Sequence, residues 1–428
     1  MGGLMKRKGN YYYDNLNYTN IHKSYKNVRK TCKNKQKLNN YLINESLNLF
    51  GILDGLYNKN YNFYNYNIFL IKEPKYRIVM SEEISDKVVS YFISEHLLRP
   101  YIEPSLLYSN VATRKNKGSS LAYNLFEKYV KRIGLSKEIY VLRLDISKYF
   151  YNIDHKILIN KIKRKIKDKD VIDLITKLIK RTDSKYVNKK INYIKESEAK
   201  HIKKKNIKES EKKKRIEEIS KIPTYDAGKG LSIGNITSQL LAVFYLNDID
   251  HYIKENLKHK HYIRYMDDLI ILSSDKEKLT KDFVKISSKI KEEKLSINPK
   301  SKIHVLNKGF TFLGYTYNIK DNRLIKRVKN INKRKIRKKL SYLKCNDYNK
   351  YFLSLISYKG YIKGIYNLDK EYEFLCNVYS DYYIYFINKD VLKRNNNKKF
   401  KELSNKDRYI ILRDNKVLIN NVFDTDIN

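Results

Sequence analysis

Hydrophobic and polar positions divide much of the chain into short runs with a readable period. Two apolar runs, residues 262–266 and 269–272, have strand length and strand composition, and only Asp267-Asp268 separates them. That spacing predicts a tight β-hairpin with both acids at the bend. A third run, Ile139-Tyr140-Val141-Leu142-Arg143-Leu144-Asp145-Ile146, reads as another strand and delivers a further acid, Asp145. Asn67-Ile68-Phe69-Leu70-Ile71 and Arg77-Ile78-Val79-Met80 form a strand pair about a turn at Pro74. Helical spacing is weak over residues 41–56 and clearer over 84–98, 240–251 and 279–295. The basic stretch 323–339 and the stretch 351–366 read as helices, and 409–422 alternates like a strand.

Adjacent carboxylates inside an apolar element repel each other and lose hydration, which is costly unless a cation neutralises them. Asp267 and Asp268 by themselves also fit an exposed turn, because Asp favours turns. Asp145 changes the picture. Three carboxylates on two neighbouring strands make a site for two Mg²⁺ ions, with Mn²⁺ as a substitute. Such a pair clamps the attacking and leaving oxygens of an in-line phosphoryl displacement.

Composition narrows the partner. Lys and Arg number 90 against 46 Asp and Glu, a net charge of +44. An excess this large implies a polyanionic partner, nucleic acid before an anionic membrane surface. Forty tyrosines offer stacking surfaces for bases. Hydrophobic residues make up 42% of 428, ample for a core and for two or three subdomains. Cys32, Cys345 and Cys376 have no paired spacing, so no disulfide framework or zinc site is expected and a cytoplasmic setting fits. Residues 1–6 hold no apolar signal core, and no run approaches the roughly 18 apolar residues of a membrane span, so no membrane is expected as partner.

Tyr265-Met266-Asp267-Asp268 after a strand, with an upstream strand ending in Asp145 and Phe150 five residues on, resembles the palm of a reverse transcriptase. The resemblance implies an α+β, right-hand polymerase with fingers, a palm of antiparallel sheet and packed helices, and a helical thumb. Its parts would be an N-terminal helical extension over 1–60, fingers over 61–135, palm over 136–318, thumb over 319–390 and a C-terminal tail over 391–428. It implies Asp145, Asp267 and Asp268 as catalytic metal ligands, and the carbonyl of Ile146 as an extra ligand. Phe150 would be the ring beneath the sugar that excludes a 2′-hydroxyl. Arg77 stands where a fingers arginine reaches the triphosphate, and an edge-strand surface arginine would look the same. The loop from Ser109 to Gly118 carries three bases and ends in Gly, which allows close backbone approach to a phosphate. It resembles the second fingers motif, making Arg114 and Lys117 candidates for template or triphosphate contacts; a solvated loop is the alternative. Lys300 matches a lysine near the pyrophosphate. The stretch Gly309-Phe310-Thr311-Phe312-Leu313-Gly314-Tyr315 resembles the primer-grip hairpin. Tyr265, Met266, Phe312, Leu313 and Gly314 are then implied contacts to nucleic acid.

Gly228, Gly230 and Gly234 punctuate a loop that leads into an apolar helix. The resemblance places this loop at the bound base pair, with Ile233, Gly234 and Gln239 beside the nucleotide. Many members of the family carry Pro-Gln-Gly here and Ser-Pro further on. In this chain Ser232 replaces Pro, Ile233 replaces Gln and Gln239 replaces the later Pro. That form resembles the reverse transcriptases of diversity-generating retroelements and their unclassified bacterial relatives, several of them phage-defence enzymes. Residues 186–222 alternate Lys and Glu with few apolar positions, and read as a charged insertion, helical or disordered, peripheral to the chemistry. The implied function is RNA-directed DNA synthesis, with an RNA template, a DNA product and dNTPs. A structured non-coding RNA and an accessory protein are further partners it allows. The alternatives are an RNA-dependent or template-independent polymerase and a non-catalytic RNA-binding protein on a polymerase fold. Phe150 argues against an RNA-dependent RNA polymerase, and the presence of all three acids against the non-catalytic protein; untemplated synthesis stays open.

Overall fold

The chain's computed structural model describes residues 9–366, apart from Pro74 and Lys363. The strand-like run 409–422, the tail 391–428 and the end of the expected thumb lie outside the described residues. The chain divides into two units, Met1–Val305 and Leu306–Asn428.

The first unit is organised by a hairpin and a four-stranded sheet. The hairpin pairs β1 (Asn67–Ile71) with β2 (Arg77–Ser81). The sheet contains β3 (Tyr140–Asp145), β4 (Tyr262–Tyr265), β5 (Asp268–Ser273) and β6 (Lys302–Val305), in the antiparallel order β4-β5-β3-β6. Leu142, Leu144, Tyr262, Leu269 and Ile271 join the main core, together with the helix Ile236–Tyr245. Side chains alternate along a strand, so Arg143, Asp145 and Asp268 leave by the other face. The middle of β5 is buried on both faces, which is why it reads as a continuous apolar run. Helix Ser119–Ile133 packs on β4 and β5, and helix Lys276–Glu292 on β3. The latter begins three residues before its apolar pattern, because the Asp275 side chain accepts from the Lys278 N–H as an N-cap. The helix expected over 84–98 runs as Ile84–Phe92 and continues in a π-helical stretch, Ile93–Leu98.

The insertion takes the helical one of its two expected forms, as helices Lys185–Lys204 and Glu209–Ser220. Its few apolar residues fall on one side, and Val187, Ile191, Ile202, Ile219 and Ile222 share a second core with Ile68, Ile78 and Met80 of the hairpin. Counting apolar residues underestimated this segment, because their spacing, not their number, makes a buried face.

The second unit opens with a meander of β7 (Phe310–Phe312), β8 (Tyr315–Lys320) and β9 (Arg323–Val328), followed by helices Asn330–Asn346 and Tyr348–Ile362. Residues 323–328 are therefore strand, not the helix their basic composition suggested. Asp321 and Asn322 both take positive φ, 50° and 53°, and close a two-residue turn in which Lys320 pairs with Arg323. Among the described residues no helix is long and apolar enough to cross a membrane.

Candidate active site

Asp145 and Asp268 are direct partners in the β3–β5 register, so both side chains stand on one face of the sheet. Tyr265 pairs with Asp268, and Met266 and Asp267 make the two-residue turn between them. Met266 takes φ 57°, which a non-glycine residue adopts only when its surroundings hold it there. Arg264 supplies part of that hold from within the core. Its Nη1 donates to the Met266 carbonyl at 3.0 Å, while Nε and Nη2 each donate to one oxygen of Asp250 at 2.7 Å. Nη2 also reaches the Val243 carbonyl at 2.7 Å, and Asp250 accepts from the Tyr262 hydroxyl at 2.6 Å.

Each outer carboxylate has its own partner. Asn298 donates Nδ2 to Asp145 Oδ2 at 2.9 Å, and its backbone N–H donates to the Asp145 carbonyl at 2.8 Å. The fork of Arg143 holds Asp268, Nε to Oδ1 at 3.0 Å and Nη2 to Oδ2 at 2.8 Å. Burial raises the Asp268 pKa to about 6 and raises Asp267 as well. The charge of Asp145 pushes both further up, against the pull of Arg143 on Asp268 and of Arg77 and Arg264 on Asp267. Ile146 bridges to Ile297 through the Asp145 carbonyl and the Ser147 N–H, which leaves its own carbonyl out of the bridge.

The other expected site residues divide into groups. Arg77 is exposed at the start of β2, and its charge is felt at Asp267, which associates it with the carboxylates. Phe150 is half-buried on the short helix Tyr149–Asn152, and its carbonyl accepts the Leu231 N–H at 2.7 Å. The Ile233 carbonyl accepts the Met80 N–H at 2.9 Å. Gly234 has φ 121°, and a Cβ there would meet Val79 Cγ1 at 2.9 Å, so its glycine is required by the backbone turn and by the β1–β2 hairpin packed on it. Gln239 is half-buried in the helix Ile236–Tyr245, and Tyr265 and Met266 are half-buried in the acid-bearing hairpin. Lys300 is exposed in the turn before β6, its backbone N–H on Asn298 Oδ1. Lys117 donates Nζ to the Tyr108 carbonyl at 3.0 Å and lies over that ring; burial pushes it down to about 8. Arg114 Nη1 donates to the carbonyls of Leu107 and Asn110, at 2.8 and 3.1 Å, and Nη2 reaches toward that of Glu103, so two of its nitrogens engage its own loop. Its Nε is buried with no hydrogen-bond partner among the described residues. In the second unit, Phe312 is buried and Leu313 and Gly314 form the β7–β8 turn with φ 43° and 95°. The Tyr361 hydroxyl donates to the Gly314 carbonyl at 3.1 Å.

The sequence matches the family described as reverse transcriptase (RNA-dependent DNA polymerase) over residues 71–317, more than half of the chain. The chain belongs to the reverse transcriptase family. That family comprises RNA-directed DNA polymerases, which are nucleotidyltransferases, and the α+β architecture seen here is its right-hand polymerase fold. No curated protein matches the sequence. Two solved structures are similar at low identity. Apo telomerase from Candida Tropicalis, truncated from its C-terminal domain, is 14% identical with a TM-score of 0.41, over 62% of this chain and 55% of that one. Telomerase from Candida albicans, in complex with a TWJ fragment of telomeric RNA, is 11% identical with a TM-score of 0.39, over 74% and 57%. The present chain thus spans little more than half the length of either.

Reverse transcriptases use divalent metals, and the donor set fits one. Hard divalent ions take carboxylate oxygens, and here two half-buried carboxylates are held above their usual range by burial and by a third. Among the described residues no group of three or more His, Cys, Asp or Glu side chains is already gathered for a metal ion. Sequence reading did not single out Arg143, Asp250, Arg264 or Asn298. Arg264 had a signal: a charge inside an apolar strand needs a buried partner.

Proposed function

We propose that this chain synthesises DNA on an RNA template from dNTPs, with two Mg²⁺ ions, or Mn²⁺, held by Asp145, Asp267 and Asp268 and by the Ile146 carbonyl. One observation carries the reading: Asp145 stands opposite Asp268 in register, with Asp267 on the adjoining turn held by Arg264. When bound, the metal pair supplies Lewis-acid stabilisation of the attacking and leaving oxygens. Asn298 orients Asp145, and Arg264 fixes the turn that presents Asp267. Arg77 offers a positive charge for the triphosphate and Phe150 a ring for the sugar. Ile233, Gly234 and Gln239 are assigned to the nucleotide side, with Lys300 toward the pyrophosphate. Lys117, Tyr265 and Met266, and in the second unit Phe312, Leu313 and Gly314, are assigned to nucleic acid. Fingers over 61–135, palm over 136–318 and thumb over 319–390 complete the assignment.

The finer reading is a bacterial, cytoplasmic enzyme of the diversity-generating or phage-defence type, working with a structured non-coding RNA and an accessory protein. Its support is the form of the glycine-rich loop, Ile233-Gly234-Asn235 with Ser238-Gln239, and the net charge of +44. The test of the activity is Asp267→Asn in primer extension with dNTPs on an RNA template. Extension should be abolished while RNA binding is retained; undiminished extension would refute the reading.

A further inference from the structure

Arg143 lies two residues before Asp145 on β3 and shares its face of the sheet. Its fork engages both oxygens of Asp268. The two outer carboxylates are therefore held differently: Asp145 by the neutral amide of Asn298, Asp268 by a cation. A neutral donor that orients a ligand leaves its negative charge available and supports metal binding. A guanidinium spends that charge and adds a positive one beside the site. We propose that Arg143 competes with the divalent metal for Asp268, and so sets the metal concentration at which the site fills. The inference rests on the polymerase reading above.

The surroundings favour competition over permanent pairing. The Arg143 side chain is 38% exposed and that of Asp268 15%, so the arginine is the partner with access to water. Lys302 stands opposite Arg143 in the β3–β6 register, a like charge that weakens the arginine's hold on that face. His304, two residues further along β6, is pushed toward its neutral form by burial and then by Lys302 and Arg143. The face next to the carboxylates is thus already basic, and an arriving dication meets both a rival and a repulsive field. Neither feature follows from the three acids alone.

Mn²⁺ binding to the full chain without nucleic acid, followed by electron paramagnetic resonance, separates the possibilities. Arg143→Met should lower the half-saturating Mn²⁺ concentration by up to about fivefold, the scale of a partly exposed ion pair. In an Asp268→Asn background, where only the repulsion remains, the same substitution should have a clearly smaller effect. If Arg143→Met does not fold, Arg143→Gln, neutral but able to donate to Asp268, carries the same test. Unchanged or weaker Mn²⁺ binding by the folded variant overturns the competition and makes Arg143 a supporting partner. If the wild type binds no Mn²⁺ that Asp267→Asn removes, the metal-site reading fails instead.

Discussion

Arg264→Met would leave Asp250 in the core beneath the active-site turn with neutral partners, the Tyr262 hydroxyl and the Asn110 amide. Both members of the native pair are 0% exposed, so water cannot take the arginine's place. Breaking one side of such a pair costs about 3–5 kcal/mol, against total domain stabilities of roughly 5–15 kcal/mol. At about 2.1 cal/mol/K per residue, a unit of some 305 residues has an unfolding entropy near 0.6 kcal/mol/K, so Tm should fall by roughly 5–8 °C. Urea denaturation followed by circular dichroism reads the same loss as a lower midpoint at constant slope. Adding Asp250→Leu removes the orphaned charge and should recover most of the stability, because an apolar replacement of a whole buried pair is far cheaper than half of one. The double variant separates folding from positioning. Its Met266 carbonyl has lost the Arg264 donor, so the turn that presents Asp267 is held less firmly. Primer extension should remain reduced by about tenfold, equivalent to ~1.4 kcal/mol of transition-state stabilisation. A single variant within about 1 kcal/mol of wild type would refute the energetic argument. Full activity in the double variant would refute the positioning role.

Metal affinity should depend on pH with a definite sign. Asp268 titrates at about 6 and must lose its proton to bind a metal, so Mn²⁺ affinity should fall about tenfold per pH unit below that value; a flat profile between pH 8 and 5 would contradict the assignment. Phe150→Ala should raise incorporation of ribonucleotides relative to deoxyribonucleotides in competition assays, and a wild type that already prefers ribonucleotides would place the enzyme in another class. Charge reversal of the exposed Arg334, Lys335, Lys338 and Lys339 should weaken RNA binding for all sequences alike. Each phosphate that is no longer neutralised should flatten the plot of log K against log salt by about 0.7–0.9. Replacing residues 186–222 with a Gly/Ser linker strips five buried aliphatic side chains from the core behind the fingers hairpin. At about 1.5–3 kcal/mol each, an upper bound, that should disorganise Arg77 and raise the KM for dNTPs. Unchanged extension by a folded variant would restore the peripheral reading.

The strands that carry the three acids were legible because their residues obey local rules. β3 is a short apolar run ending in Asp145, and the two-residue break at Asp267-Asp268 admits little but a hairpin, although the turn itself falls one residue earlier, at Met266-Asp267, and Asp268 opens β5. What escaped was whatever depends on distant partners. Arg143 and Asn298 lie 125 and 153 residues from the carboxylates they hold. No period or spacing links residues so far apart. Arg114 has partners that were no more legible: a base in a glycine-containing loop gives no sign that its guanidinium donates to the carbonyls of Leu107 and Asn110. The strand Arg323–Val328 was hidden by its lysines and arginines, which suit an exposed sheet edge as readily as a helix. The Asp321-Asn322 pair was its signal, since both residues tolerate the positive φ that a two-residue hairpin demands.

The glycine-rich loop joins the insertion, the β1–β2 hairpin and the helix that carries Phe150. At Gly230 a Cβ would fall 2.3 Å from the Tyr225 ring, and at Gly234 2.9 Å from Val79 Cγ1. Tyr225 belongs to the core that the insertion helices share with Ile78 and Met80. Its hydroxyl donates to the Leu231 carbonyl at 3.1 Å, while the Leu231 N–H donates to the Phe150 carbonyl. The loop is therefore clamped on one side to the helix that carries Phe150 and on the other to the strand that begins with Arg77. Tyr225 and the hairpin core thus connect the insertion to both. The Ile233 carbonyl makes the clamp to Met80, and its side chain takes no part in that bond. Position 233 can therefore vary in side-chain chemistry while its backbone contact to the fingers is kept.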